Sequence, residues 1–461
     1  MARLLSLLAI AAVCHLATPR AARAQDTQYW INTYGTKGQL LGGVLLGSPQ
    51  DISAVYYNPG GLALSGKVEA VFSGSAYRYA IIADKNGLGS GRSITSSSLS
   101  SLPSMFAGEL PLGFLGHDRL AYVVLARQYF DGRAQARGLT PGSALNVPDL
   151  KFFSGDVWVE ESLNDTWAGL SWAHPMNPHV GVGITQFVSV RSQRARFATM
   201  AQAIDSSGNA AVLNGSRDFD YTYWGLLWKF GISFQYPSWS LGFNLTTPSV
   251  KVLGSGKAGR DLTLVDEGVA PSATTVVATD YQDDVASTYH NPLSIGAGGS
   301  YQFGSTRLHV AVEWFDGVDA YHVLATTGFT TQSSGAPLTN DVIQASDPVL
   351  NFGVGVEHHF NPKLAAYAAY RTDRSPLPDS STANANVSHW DLSHVSGGAA
   401  FTLARVDLVL GTDIAWGGGP PRGLLTGLLG GVGPEVPPDA KIQYLSATVM
   451  FGVKVAFGTG H

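Results

Sequence analysis

Cysteine is almost missing from this sequence: Cys14 is the only one in 461 residues. A chain that loses its first residues therefore has no disulfide, no thiol nucleophile and no cysteine-based metal site. Charged residues are sparse, 14% of the total, and the formal net charge is −5, which argues against nucleic acid as a partner. No apolar run is long enough to cross a bilayer as a helix. Arrangements that carry chemistry are missing as well. The adjacent pairs Glu160-Glu161 and Asp283-Asp284 point to opposite faces of a strand and cannot form a facing acid/base pair. There is no Gly-x-Ser-x-Gly nucleophile turn. Gly254-Ser255-Gly256-Lys257 has the ending of a phosphate-binding loop, but Lys251 stands where the first glycine belongs. His358-His359 point apart with no third ligand nearby, and His389 and His394 fit neither a helix face nor a strand face. No enzymatic activity, cofactor or metal is expected.

What is present begins with a leader. Arg3 opens a short positive region, residues 4–13 are an apolar run of signal-peptide length, and Ala22-Arg23-Ala24 before Gln25 fits a small-x-small cleavage site. A lipoprotein reading would use Cys14 as the anchor, but Val13 sits where a small residue is wanted. Cleavage after Ala24 removes Arg3, Arg20 and Arg23 and takes the formal charge from −5 to −8. The chain is expected to be exported with residues 1–24 as a signal peptide.

Strict alternation dominates the rest. In 307–315, Leu308, Val310, Val312 and Trp314 share one face while Arg307, His309 and Glu313 share the other. In 405–416, Val406, Leu408, Leu410, Ile414 and Trp416 oppose Arg405, Asp407 and Asp413. In 349–360, Leu350, Phe352, Val354 and Val356 oppose Asn351, Gly353, Gly355 and Glu357. Period two sends each set to one face of a pleated strand. Further strands are expected at 67–82, 105–112, 119–130, 157–174, 179–197, 218–236, 239–253, 283–303, 363–373, 390–403 and 441–457. The connections alternate in length. Pro175-Met176-Asn177-Pro178, Pro237-Ser238, Gly304-Ser305-Thr306 and Asn361-Pro362 are short. Residues 83–104, 131–156, 198–217, 254–282, 319–348, 374–389 and 417–440 read as long loops. With 54 glycines, few charges and tryptophans near strand ends, the pattern indicates an all-β, transmembrane antiparallel β-barrel of about fourteen strands, with short periplasmic turns and long external loops.

Residues 42–66 differ from this pattern. They are rich in small residues, include Asp51, and run Tyr56-Tyr57-Asn58-Pro59-Gly60-Gly61-Leu62-Ala63 into the first strand. Asn58-Pro59-Gly60-Gly61 is expected to turn sharply. The stretch resembles the N-terminal plug, or hatch, of the FadL-type outer-membrane transport proteins. The resemblance implies a plug inside the lumen at 25–66 and a barrel at 67–461, with Asp51, Tyr56, Tyr57, Asn58, Pro59, Gly60, Gly61 and Leu62 as plug or gate residues. It also implies passive uptake of hydrophobic molecules, long-chain fatty acids or aromatic hydrocarbons, across a lipopolysaccharide-bearing outer membrane by a monomer. In the family the plug shifts, and an inward kink in the third strand opens a lateral exit. Here that strand, 119–130, has no glycine or proline to mark a kink. A FadL-like scaffold or carrier barrel of a protein-secretion system is the alternative.

Candidate ligand contacts are Leu424, Leu425, Leu428 and Leu429 on one external loop. Four leucines there either pack on the mouth or receive an apolar ligand. On the polar strand faces, Tyr223, Lys229, His309, Glu313, Asn351, Glu357, Arg405, Asp407 and Lys454 are expected to face the lumen, with Tyr223, Arg405 and Lys454 as candidate contacts.

Overall fold

The computed structural model describes residues 28–49, 51–65, 67–85, 94–141, 149–269, 275–378, 383–385, 390–419 and 441–459. The first half of the wall is β1 (Lys67–Lys85), β2 (Ile94–Glu109), β3 (Arg119–Pro141), β4 (Leu150–Asn177), β5 (Val180–Asp205), β6 (Ala210–Gln235), β7 (Trp239–Thr246) and β8 (Val250–Asp266). The second half is β9 (Val276–Ala286), β10 (Ser294–Phe303), β11 (Thr306–Phe315), β16 (Val349–Asn361), β17 (Leu364–Asp373), β18 (Asp391–Leu403), β19 (Val406–Gly419) and β20 (Lys441–Thr459). Every described pairing is antiparallel, and β20 closes on β1 from Lys67↔Thr459 to Lys85↔Lys441. β7 and β8 lie end to end along β6, and β9 and β10 pair with them in turn, so the sixteen strands fill fourteen places in a closed barrel. Outside the wall, β12 (Val318–Leu324) pairs with β15 (Val342–Ser346), and β13 (Phe329–Thr330) with β14 (Pro337–Leu338).

Alternation sorts the two faces as expected. On β11, Leu308, Val310 and Val312 are exposed, while His309, Ala311 and Glu313 are buried. On β6, Trp224 and Phe230 face out and Tyr221, Tyr223, Leu227 and Lys229 are buried. A continuous exposed apolar belt around a closed sheet is the surface that hydrocarbon covers in a membrane-spanning barrel. Two tryptophans expected among the interfacial aromatics, Trp167 and Trp390, point inward instead and are buried.

The segments expected as loops at 131–156, 198–217 and 254–282 are largely strand, since β3 to β6, β8 and β9 run far beyond the apolar belt. Their outward faces carry exposed ion pairs, Arg133–Glu160 at 3.0 Å and Arg137–Asp156 at 3.0 Å. Above the belt the outer face meets water, so the hydrophobic period that announces a strand disappears.

The wall has one clear irregularity near β2. This strand pairs with β1 up to Asp84↔Ile94, yet with β3 only from Met105↔Leu125 to Glu109↔Ala121. β3 itself continues along β4 to Pro141↔Phe152. Its register against β4 slips between Ala126 and Gln128, which makes Arg127 an extra residue in a bulge. Above Leu125 the β2–β3 seam has no ladder among the described residues.

Candidate functional site

Residues 28–65 lie across the lumen. They comprise α1 (Thr36–Leu40), α2 (Ala54–Tyr57) and a 3-10 helix (Pro59–Leu64). Instead of a reversing turn, Asn58 caps that last helix: its side chain accepts from Gly60 N at 3.1 Å, and Pro59 supplies the fixed φ of the first position. The Asn58 amide also donates to Leu46 O (3.0 Å) and to Ile232 O on β6 (2.9 Å). The helix rests directly on the wall because the facing residues are glycines. A Cβ at Gly60 would stand 2.5 Å from Gly181 O, and one at Gly183 would stand 2.5 Å from Pro59 O.

Anchors run to strands all round the barrel. Gly35 N donates to Ser73 on β1 (3.0 Å), Trp30 N to Asp373 on β17 (2.9 Å) and Trp30 Nε1 to Glu313 on β11 (2.8 Å). Lys37 pairs with Glu357 on β16 at 2.9 Å, and Asn244 on β7 donates to Tyr57 O. Asp51, buried, stays within the segment and accepts from Ser53 N (2.9 Å) and Thr36 Oγ1 (3.2 Å). Tyr57 OH accepts from Tyr34 N at 2.9 Å, Lys229 Nζ lies 4.9 Å from the Tyr56 ring centroid, and Leu62 is fully buried. Burial pushes the Tyr56 phenol up to about 12 and raises Tyr34 and Tyr57 too, so these hydroxyls stay neutral and act as hydrogen-bond groups.

The segment also holds the loose edge of β3. The bulge turns Ala126 O away from any strand, and it accepts from Asn32 Nδ2 (3.0 Å) and Tyr34 OH (2.9 Å). Arg127 Nη1 donates to Tyr29 O, and Gln128 Nε2 to Gln28 O at 3.1 Å. Beside this seam an open pocket is lined by Ser96, Ser98 and Ser100 of β2, Phe130 of β3, and Ile31 and Trp390. A second, small pocket lies between Tyr29 and Tyr56 of the segment and Trp167, Phe315, Arg127, Lys229 and Glu313 of the wall.

The expected lumen residues divide. Lys229, His309, Glu313, Asn351 and Glu357 are buried on the inner face, in polar contact with wall or segment. Tyr223 is buried too, with its OH on Ser249 at 3.2 Å. Lys454 faces in but is held by Asp407 (2.9 Å) and Glu69 (3.3 Å), near neither cavity. Arg405 needs correcting: it sits exposed in the tight turn before Val406, where Ala404 takes φ 55°, so it belongs to the barrel end rather than the lumen. Leu424, Leu425, Leu428 and Leu429 lie outside the described residues. Sequence reasoning missed Tyr29, Trp30, Arg127, Arg371 and Asp373. The available signal for Arg127 was the adjacent polar pair Arg127-Gln128 inside an apolar alternation. Both side chains are buried, and an extra residue in a bulge permits that.

The segment sets the cost of substitutions on the inner face. Val354 faces hydrocarbon, and Arg there should cost about 2–4 kcal/mol near the midplane. Gly353 faces in, but its Cβ would stand 2.5 Å from Val44 Cγ2, so Gly353→Arg should also be costly. Refolding titrations separate the causes. The Gly353→Arg penalty should vanish once residues 28–65 are deleted, and the Val354→Arg penalty should persist.

The same fold occurs in several solved structures. A Pseudomonas aeruginosa FadL homologue matches over 94% of this chain and 100% of its own, at 13% identity and a TM-score of 0.57. The Pseudomonas putida toluene transporter TodX matches over 93% and 100%, at 14% identity and a TM-score of 0.55. The Ralstonia pickettii toluene transporter TbuX matches over 92% and 98%, at 13% identity and a TM-score of 0.53. At such identities the likeness is one of fold. No family model matches the sequence, and no curated protein matches it.

Proposed function

We propose that this protein is a passive outer-membrane channel for small hydrophobic molecules, with residues 28–65 as its plug and the β2–β3 seam as a sideways exit. One observation carries the reading: the ladder between β2 and β3 stops at Met105↔Leu125, beside the larger cavity, and the freed edge of β3 is held by the plug itself. An unpaired edge facing hydrocarbon leaves polar groups unsatisfied, each costing several kcal/mol. Here Asn32 and Tyr34 satisfy one of them, so moving the plug and loosening the seam are coupled. The wall closes within one chain, which fits a monomer. The leader and the apolar belt fit export to a Gram-negative outer membrane. The toluene transporters of the same fold favour aromatic hydrocarbons as cargo.

Uptake of radiolabelled toluene by cells expressing the protein tests this. Wild type should give saturable uptake above vector controls. Ser100→Trp, which fills the seam cavity, should remove most of that increment while the unboiled protein still runs as a compact barrel on a gel. Wild-type uptake no greater than the control, with folded protein in the outer membrane, would rule out the channel reading.

A further inference from the structure

The wall is interrupted a second time, away from the β2–β3 seam, with β3 to β6 lying between the two. β10 pairs with β7 up to Ser294↔Thr246, and β9 pairs with β8 from Ser255↔Ala286 onward. Between those points residues 287–293 leave the sheet. Ser287 bridges to Leu324 and Thr288 N donates to Val323 O at 2.9 Å, while Tyr289 turns inward onto Arg191, whose guanidinium carbon lies 4.1 Å from the ring centroid.

β8 records the loss. Inside and outside alternate on most of the wall, but Val250, Lys251, Val252 and Leu253 are all exposed in succession. Val250 is 56%, Val252 55% and Leu253 54% exposed, so both faces of this short piece are open. Val252 is an extra residue on the β6 side as well, since the register slips between Trp224↔Leu253 and Gly225↔Lys251. The break is level with Trp224 and Leu226, where the apolar belt of β6 gives way to Thr222 and Asp220. That is the outer edge of the hydrocarbon layer, the depth at which unpaired backbone groups can still reach water.

Hydrogen bonds rather than a strand ladder close the gap: at its outer end Ser287 N donates to Gly254 O (3.2 Å) and Ser287 Oγ to Thr222 O (2.7 Å). Ser249 Oγ accepts from Asn291 N (3.1 Å) and from Tyr223 OH (3.2 Å), and donates to Tyr289 O (3.4 Å). Lys251 Nζ reaches Thr288 Oγ1 at 3.5 Å from an exposed position. Behind this stitch, Thr246, Asn291, Pro292 and Ser294 form one side of the cavity whose other side is Tyr29 and Tyr56. The apolar sill outside, this set of hydrogen bonds and the small pocket of Tyr29, Tyr56, Trp167 and Phe315 inside lie in sequence.

We infer that this break is a lateral inlet, through which an apolar molecule dissolved at the outer edge of the membrane passes Val252 and Leu253 and reaches the aromatic cavity in the lumen. The inference rests on the channel reading above and adds a way in, separate from the seam proposed as the way out. The gap admits cargo from the membrane edge without a passage through the water-filled mouth.

Two measurements with toluene as the probe test it. In Ser249→Cys/Asn291→Cys, oxidation should lock the gap and abolish most saturable toluene uptake, and dithiothreitol should restore it. Separately, a Val252→Cys thiol should be alkylated by N-ethylmaleimide more slowly when toluene is present in excess, a readout independent of transport. A locked, folded barrel that takes up toluene at the reduced rate, with Val252→Cys alkylation indifferent to toluene, would overturn the inlet. Those results leave the channel reading standing as long as wild type transports and Ser100→Trp does not. Absence of wild-type uptake would overturn the channel reading, and with it the inlet.

Discussion

Deleting residues 28–65 is expected to convert a closed barrel into an ion-conducting one. The wall should survive, because its ladder runs strand to strand around the whole ring and closes through β1 and β20. The segment meets that wall mainly through side chains: Asn58 and Asn244, Lys37 and Glu357, Trp30 and Glu313. Without it, the wall pairs Lys229–Glu313 (3.6 Å) and Arg371–Asp413 (2.8 Å) would keep each other and gain water, which lowers the cost of their charge instead of raising it. A fourteen-place barrel is also wider than its own side chains can fill, since barrels of about eight strands are the ones that side chains close. Planar-bilayer recordings should therefore show steady conductance, and bulky polar antibiotics should enter cells that carry the deletion. Saturable toluene uptake should fall, since Tyr29 and Tyr56 leave with the segment. The external hairpin of β12 and β15 is the competing stopper. Val323, Leu324 and Val342 are fully buried, but they pack with Phe219, Tyr221 and Tyr223 of β6 on one side of the mouth. A folded deletion that stays closed would assign the occlusion to that hairpin and remove the plug role from residues 28–65.

Much of the fold was legible because a membrane imposes it. Where one face meets hydrocarbon and the other meets packed polar groups, every second residue must be apolar, and 307–315 and 349–360 show the rule almost without exception. The same reasoning fails above the belt. Around Arg133 and Arg137 the outward face is polar and the other face carries only glycine and alanine, so 131–156 reads as a loop although it is largely strand. Register irregularities were harder still. A bulge accepts most residue types, so Arg127 carried no glycine or proline to announce it. The break at 287–293 consists of contacts between Ser249, Asn291 and Leu324, distant in sequence. Arg405 was misplaced by a single step at the end of a strand: it has the parity of Asp407 but falls in the turn before Val406, beyond the lumen. Lys454 behaves as lumen charges usually do and answers Glu69 and Asp407.

Glu357 is where one substitution should most disturb the segment without touching the wall. Its carboxylate, 2% exposed, accepts from Lys37 Nζ (2.9 Å), His359 Nε2 (2.7 Å) and Tyr367 OH (3.3 Å), and His309 Nε2 lies 3.3 Å away. Lys37 is the member that belongs to α1; the others are wall residues held by their own strands. Taking away a buried acceptor typically costs about 1–3 kcal/mol where the donor can still reach water, and the Lys37 side chain is 20% exposed. In Glu357→Ala that cost falls on the docking of α1, since the ladders of β16 with β11 and β17 do not use the side chain. A loss of that size multiplies the undocked population by about five to about a hundred and fifty. Bilayer recordings of Glu357→Ala should then show brief openings against a closed baseline, with the unboiled gel mobility of wild type. Lys37→Met should open it less, since it leaves a carboxylate that His309 and His359 still serve. Glu357→Gln with Lys37→Met removes both charges and should be quieter than Glu357→Ala, the non-additivity that a direct pair produces. Equal noise in the double variant and in Glu357→Ala would mean that the pair does not hold the segment, and that Trp30 with Asp373 and Glu313 is the anchor that matters.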